Sequence, residues 1–240
     1  MKIRVERDAL ADAVAWVARS LPTRPTAPIL AGMLLEADAD GLTLSSFDST
    51  TSAKVVMPAT VTDEGTVLVS GRLLAEIARS LPNKPVDLVA DHSKVELTCG
   101  QARFTLQTLP VEEYPTLPDM PSQTGDVDAA LFEKAVGQVF VAAGRDELLN
   151  VFTGVKVEIN GESLSLLATD RYRMALKELT WHPSSPSVEG AVLVPGKVLA
   201  DTAKSMTSGD KVTISLSTTE AEGEGLAGFI GQSSKGTREA

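Results

Sequence analysis

The chain has 240 residues, with 22 Lys and Arg against 32 Asp and Glu, and a formal net charge of −10. That length suits one or two domains with a proper core, and the acidic balance argues against nucleic acid unless the positive charges gather on one surface. A single cysteine, Cys99, excludes an internal disulfide; His92 and His182 stand far apart with no Cys or carboxylate at ligand spacing, so no structural metal and no cofactor are predicted.

No apolar run approaches the length of a membrane span, and the opening MKIRVERDAL alternates charge with apolar residues where a signal peptide would carry an apolar core. A cytoplasmic protein without a membrane partner is expected. In chain order, a strand over 2–6 leads into a helix over 8–20, where Leu10, Val14, Val17 and Leu21 form one apolar stripe and Asp8 is the candidate N-cap. Strands follow over 29–37, 42–47 and 52–57, and a fourth over 67–70 runs directly into a helix over 72–81 that Pro82 stops. Three more strands are expected over 86–90, 94–98 and 103–108. The pattern is β-α-β-β-β-β-α-β-β-β.

Pro110, Pro115, Pro118 and Pro121 then break the periodicity and mark an extended connector between domains 1–120 and 121–240. Beyond it the first half repeats. Leu10, Gly32 and Asp48 meet Phe132, Gly154 and Asp170, each 122 positions later, and GTVLVSGRLLA (65–75) meets GAVLVPGKVLA (190–200) 125 positions later. The three-residue change fits a longer loop over 182–189. Within the repeats, Arg72 and Arg79 are matched by Lys197 and Lys204. Residues seven apart share one helix face, so each second helix offers a basic pair; Glu76 and Asp201 beside them leave open the reading of ordinary surface salt bridges. A hairpin over 163–179 would present Thr169, Asp170, Arg171, Tyr172 and Arg173 at its tip, which is either a solvated turn or a site.

The run ATDRYRMA (168–175) resembles the A-T-D-G-H-R-L-A signature of the bacterial sliding clamp, the β subunit of DNA polymerase III, with Arg171, Tyr172 and Met174 in place of Gly, His and Leu. MKIRVERDAL, RPTAPILAGMLLEA (24–37) and FTLQTLPVEEYP (104–115) extend the similarity over nearly all of the first half and most of the second. The resemblance implies an α+β fold of tandem clamp domains, each an antiparallel sheet with two helices packed on one face. It also implies a non-catalytic, nucleoid-associated processivity factor that self-associates into a ring around duplex DNA without reading sequence. Its partners would be the DNA polymerase III α subunit, the clamp loader and other proteins carrying clamp-binding peptides.

Carried over by position, the DNA contacts would be Arg24, Arg72, Arg79, Arg145, Lys197 and Lys204. The peptide-binding pocket would take Phe152, Thr169, Arg171, Tyr172, Arg173 and Met174. Such clamps carry three domains, and the polar ending SSKGTREA has none of the alternation of its counterpart ARFTLQTLP. A second domain lacking its last strand, an absent third domain and a clamp truncated after the second are therefore expected. Two other functions stay open. One is a small-molecule enzyme binding an anion at Asp170, Arg171 and Arg173, although no phosphate-cradling glycine loop or nucleophile elbow is present. The other is a clamp fragment that captures peptides without encircling DNA.

Overall fold

The computed structural model describes residues 1–91, 93–207, 209–217, 225–233 and 236–240, so His92, Ser208 and residues 218–224 and 234–235 lie outside the described residues. The chain forms two compact units, divided between Pro118 and Asp119, with the C-terminal strand belonging to the first.

In the first unit the elements are β1 (Lys2–Val5), α1 (Arg7–Val17), β2 (Gly32–Asp38), β3 (Gly41–Phe47), β4 (Ser52–Met57), β5 (Thr60–Asp63), β6 (Gly65–Ser70), α2 (Gly71–Ser80), β7 (Val86–Ala90), β8 (Lys94–Cys99) and β9 (Ala102–Leu109). The strands pair in the order β5-β1-β7-β8-β9-β6-β2-β3-β4, all antiparallel. Both helices pack against each other and on one face of the strands, burying Leu10, Val14 and Val17 from α1 and Leu74 and Ile77 from α2. Burying a Leu or Val side chain in this way contributes about 1.5–3 kcal/mol. Asp8 is not the N-cap. Because β1 ends at Val5, Glu6 takes the extended cap conformation without a side-chain bond, and Asp8 sits in the first turn, paired with Arg7 at 2.7 Å.

The second unit repeats the plan with β10 (Gln123–Asp128), α3 (Ala129–Phe140), α4 (Asn150–Thr153), β11 (Gly154–Asn160), β12 (Ser163–Thr169), β13 (Met174–Thr180), β14 (His182–Pro183), β15 (Glu189–Pro195), α5 (Gly196–Ser205), β16 (Lys211–Leu216) and β17 (Ala227–Ser233). Its strands run β14-β10-β16-β17 and β13-β12-β11-β15. The α3 N-terminus is capped by Asp128, whose carboxylate accepts from the Leu131 amide at 2.8 Å. At the centre of the core, the Phe132 ring stacks on Phe229 with centroids 5.8 Å apart. No helix among the described residues is long and apolar enough to cross a membrane.

Four strands were not legible in the sequence. β10 begins inside the stretch over 110–126 read as a connector, because Gln123 to Asp128 pair with β16 and β14 without an apolar pattern, and the two-residue β14 falls in the loop read over 182–189. β5, TVTD, is short and mostly exposed and, among the described residues, pairs with β1 alone, so it carries no alternation. The C-terminal segment, read as lacking a well-formed strand, forms β18 (Gly236–Glu239), paired antiparallel with β4 through Thr237↔Val56 and Arg238↔Val55. Backbone pairing by itself needs no apolar pattern. Here it is reinforced by the Arg238 guanidinium, 5.8 Å from the Trp16 ring centre, and by a Lys54–Glu239 ion pair at 3.4 Å.

After β9, Pro110 turns the connector back over the first unit. Tyr114 is buried there, its hydroxyl accepting from the Phe47 amide at 2.9 Å. Burial raises the Tyr114 phenol above its ordinary value, and the Phe47 hydrogen bond only partly offsets this. The folded state thus keeps a proton that the unfolded chain releases near pH ~10. The stabilisation is complete below that pH and is lost as pH rises towards the folded value. Urea titrations at pH 8–11 should show the wild type losing stability above pH ~10 relative to Tyr114→Phe; parallel curves would contradict this.

Candidate functional site

The hairpin tip between β12 and β13 is built by Asp170. One carboxylate oxygen accepts from the amides of Tyr172 at 3.1 Å and Arg173 at 3.0 Å, and the other accepts from the Arg173 guanidinium at 2.9 Å. Partial desolvation pushes the Asp170 carboxyl up, but these bonds and the Arg173 charge outweigh it and hold the group below the usual carboxylate range. An Asp so committed is not a free general base, which weighs against the enzyme reading. The first unit has the same turn, with Asp48 accepting from the amides of Thr50 at 3.0 Å and Thr51 at 2.7 Å.

The turn forces its next residue into the left-handed region: φ is +80° at Ser49 and +82° at Arg171. Glycine tolerates that conformation without cost, and a side chain there costs about 1–2 kcal/mol. Arg171 offsets part of this by stacking. Its guanidinium lies 5.9 Å from the Phe152 ring centre and 5.7 Å from that of Tyr172. Phe152, carried by α4, is thereby brought to the tip of the hairpin.

Phe152 separates two concavities. One, about 330 Å³ and mostly apolar, is lined by Val151, Phe152, Gly154, Leu167, Thr169 and Leu193. The other, about 460 Å³, is lined by Arg145, Asp146, Phe152, Arg171, Tyr172 and Arg173. Five of the six residues expected in a peptide pocket therefore border these hollows; Met174 lines neither, and lies exposed at the start of β13. Arg145, expected among the DNA contacts, stands with Arg171 and Arg173. Leu167 and Leu193 were missed, although alternation along β12 and the repeat that matches Leu193 to Leu68 place both on the sheet face away from the helices.

The basic pairs are exposed on their helices, Arg72 and Arg79 on α2 and Lys197 and Lys204 on α5. Neither Glu76 nor Asp201 pairs with them among the described residues. Arg72 instead donates to the carbonyls of Pro22 at 2.8 Å and Thr23 at 3.0 Å, which draws the loop carrying exposed Arg24 up to α2. Among the described residues no group of three or more His, Cys, Asp or Glu could hold a metal ion.

This doubled unit matches two family models, the DNA polymerase III beta subunit N-terminal domain over residues 1–118 and its central domain over residues 126–233. The chain belongs to the DNA polymerase III β-subunit family. It is 58% identical over 231 residues to the beta sliding clamp of Streptomyces coelicolor, covering 96% of this chain and 61% of that one. The DNA polymerase sliding clamp from Bacillus subtilis shares the fold with a TM-score of 0.87 at 24% identity, over 100% of this chain and 64% of the other. A Pseudomonas aeruginosa sliding clamp bound to griselimycin aligns with a TM-score of 0.82 at 26% identity over the same shares. The chain thus spans less than two thirds of these family members.

Proposed function

We propose that the chain works as part of a DNA sliding clamp, a non-catalytic processivity factor for DNA polymerase III. The observation that carries this is the repeat of one surface: each unit exposes a basic pair on one helix, α2 or α5, unpaired with its acidic neighbour, in a chain whose net charge is −10. Cations fixed on rigid helices hold phosphates without touching base edges, as sequence-independent binding requires. Arg24 beside Arg72 extends the pair on α2. Arg145 is the weakest DNA candidate, since it faces the hairpin concavity. Self-association into a ring around duplex DNA, on the nucleoid, is the arrangement the family implies.

The hollows around Phe152 are the second part of the function, a seat for clamp-binding peptides from the polymerase α subunit, the clamp loader and related proteins. An apolar groove rimmed by arginines suits a short segment with one aliphatic and one aromatic anchor. That a Pseudomonas aeruginosa clamp holds griselimycin supports a ligand site in this family. A fluorescein-labelled peptide bearing Leu and Phe anchors should bind saturably, and Leu167→Glu, which puts a charge into the lining of the apolar groove, should weaken it about tenfold or more. Anisotropy unchanged by the protein would overturn the pocket.

A further inference from the structure

The basic face of α2 holds a loop, and that of α5 does not. From Leu21 the chain runs through PTRPTA to the 3₁₀ turn Pro28–Ala31. Pro22, Pro25 and Pro28 offer no N–H and press Leu21, Arg24 and Ala27 towards extended backbone; Leu21 and Ala27 stand at ψ 128° and 137°. Such a stretch does not tie itself together, and among the described residues the main chain of 22–26 makes no hydrogen bond to other main chain. Its ends are fixed by the burial of Leu21 and Leu30. Among the described residues, its middle is held by Arg72.

The start of α2 supplies that hold. At Gly71 a Cβ would meet the Leu21 Cδ1 at 2.6 Å, so this leucine packs directly on the helix backbone. From Arg72, one terminal guanidinium nitrogen donates to the carbonyls of Pro22 at 2.8 Å and Thr23 at 3.0 Å, while the side chain stays exposed and keeps the other donors of its planar fork for a ligand. The Thr23 carbonyl belongs to the rigid peptide group that enters Arg24, so this bond sets where Arg24 begins. In the second unit Lys197 takes the place of Arg72, and Asp146, 122 positions on, takes that of Arg24. The loop there ties itself, with the Gly144 amide donating to the Phe152 carbonyl at 2.7 Å and Asp146 accepting from the Leu148 amide at 3.0 Å.

We infer that Arg72 is a positioning residue: by holding Pro22 and Thr23 it fixes Arg24 on the α2 face, and Arg24 with the open side of the Arg72 fork forms one paired seat for a DNA phosphate. Planar guanidinium groups match the oxygens of a phosphate, and ordering Arg24 in advance removes a cost that binding would otherwise bear. A lysine at this place supplies charge without the hold, which is the arrangement of the second unit. The inference rests on the reading of α2 as a phosphate-binding surface.

The loop is tested first, without DNA. A nitroxide attached to the full chain through Thr26→Cys reports its motion, since Thr26 is exposed and Cys99, 0% exposed, stays unlabelled. The label should give a broad, slow electron paramagnetic resonance spectrum, and Arg72→Lys, which keeps the charge and loses the planar fork, should sharpen it with the circular dichroism unchanged. An unchanged spectrum overturns the inference. In titrations of a 30-bp duplex at low salt, Arg72→Lys should weaken binding about three- to tenfold, the cost of ordering one long side chain, and keep the salt slope. In the Arg24→Gln chain the same change should alter affinity by less than about twofold. Equal losses in the two backgrounds would mean that Arg72 acts on its own, and would overturn the positioning role. A label released by Arg72→Lys in a chain that binds no duplex would support the hold on the loop and remove the phosphate reading.

Discussion

Phe132→Ala should cost about 3–5 kcal/mol of unfolding free energy, the range for truncating a fully buried phenylalanine. Phe132 is 0% exposed and stacks on Phe229, so the change removes both the buried ring and its partner's contact surface. The site also has little freedom to collapse, because α3 is fixed at its start by the Asp128 cap and along its length by β12, β13 and α5. Hydrogen exchange should show the damage in β16 and β17, with β7 and β8 of the first unit still protected. A double-mutant cycle with Phe229→Ala should return about 0.5–1.5 kcal/mol of coupling, the excess of a ring pair over area burial. A single-variant loss below about 1 kcal/mol would contradict the packing described.

The second large effect concerns DNA. If Arg72, Arg79, Lys197 and Lys204 each neutralise a phosphate, changing all four to Gln should flatten the dependence of log affinity on log salt by about 0.9 for each, or roughly 3.6 together. Over a fourfold rise in salt, the wild type should then lose about two orders of magnitude more affinity than the variant. The four side chains are exposed, so the variant should fold normally. Equal slopes would mean that these helices do not meet the phosphates.

Much of this architecture was legible in the sequence because both copies kept what the fold cannot do without. Leu10 and Phe132 hold the same core position, and Gly32 and Gly154 each leave the space that a leucine side chain fills. Asp48 and Asp170 build the same turn. What escaped was set by tertiary context. β5 and β18 are short strands specified by backbone pairing, so their sequences carry no period-2 signal. At the site, the hairpin residues could be assigned by position, but Arg171 entering a left-handed conformation and swinging onto Phe152 depends on the turn geometry. Arg145 was grouped with the DNA contacts by its position in the resemblance; that it stands beside Arg171 and Arg173 depends on the fold. Leu193 lies between buried Val192 and Val194 in β15 and is itself 48% exposed, because alternation turns it to the other face of the sheet.

The measurement that bears most directly on the clamp reading is the affinity of the wild-type chain for several 30-bp duplexes of unrelated sequence, titrated at low salt and again at physiological salt. Phosphate contacts from helices predict saturable binding, affinities within about twofold across sequences, and a steep fall with salt. A marked preference for one sequence, or no saturable binding at low salt, would contradict it.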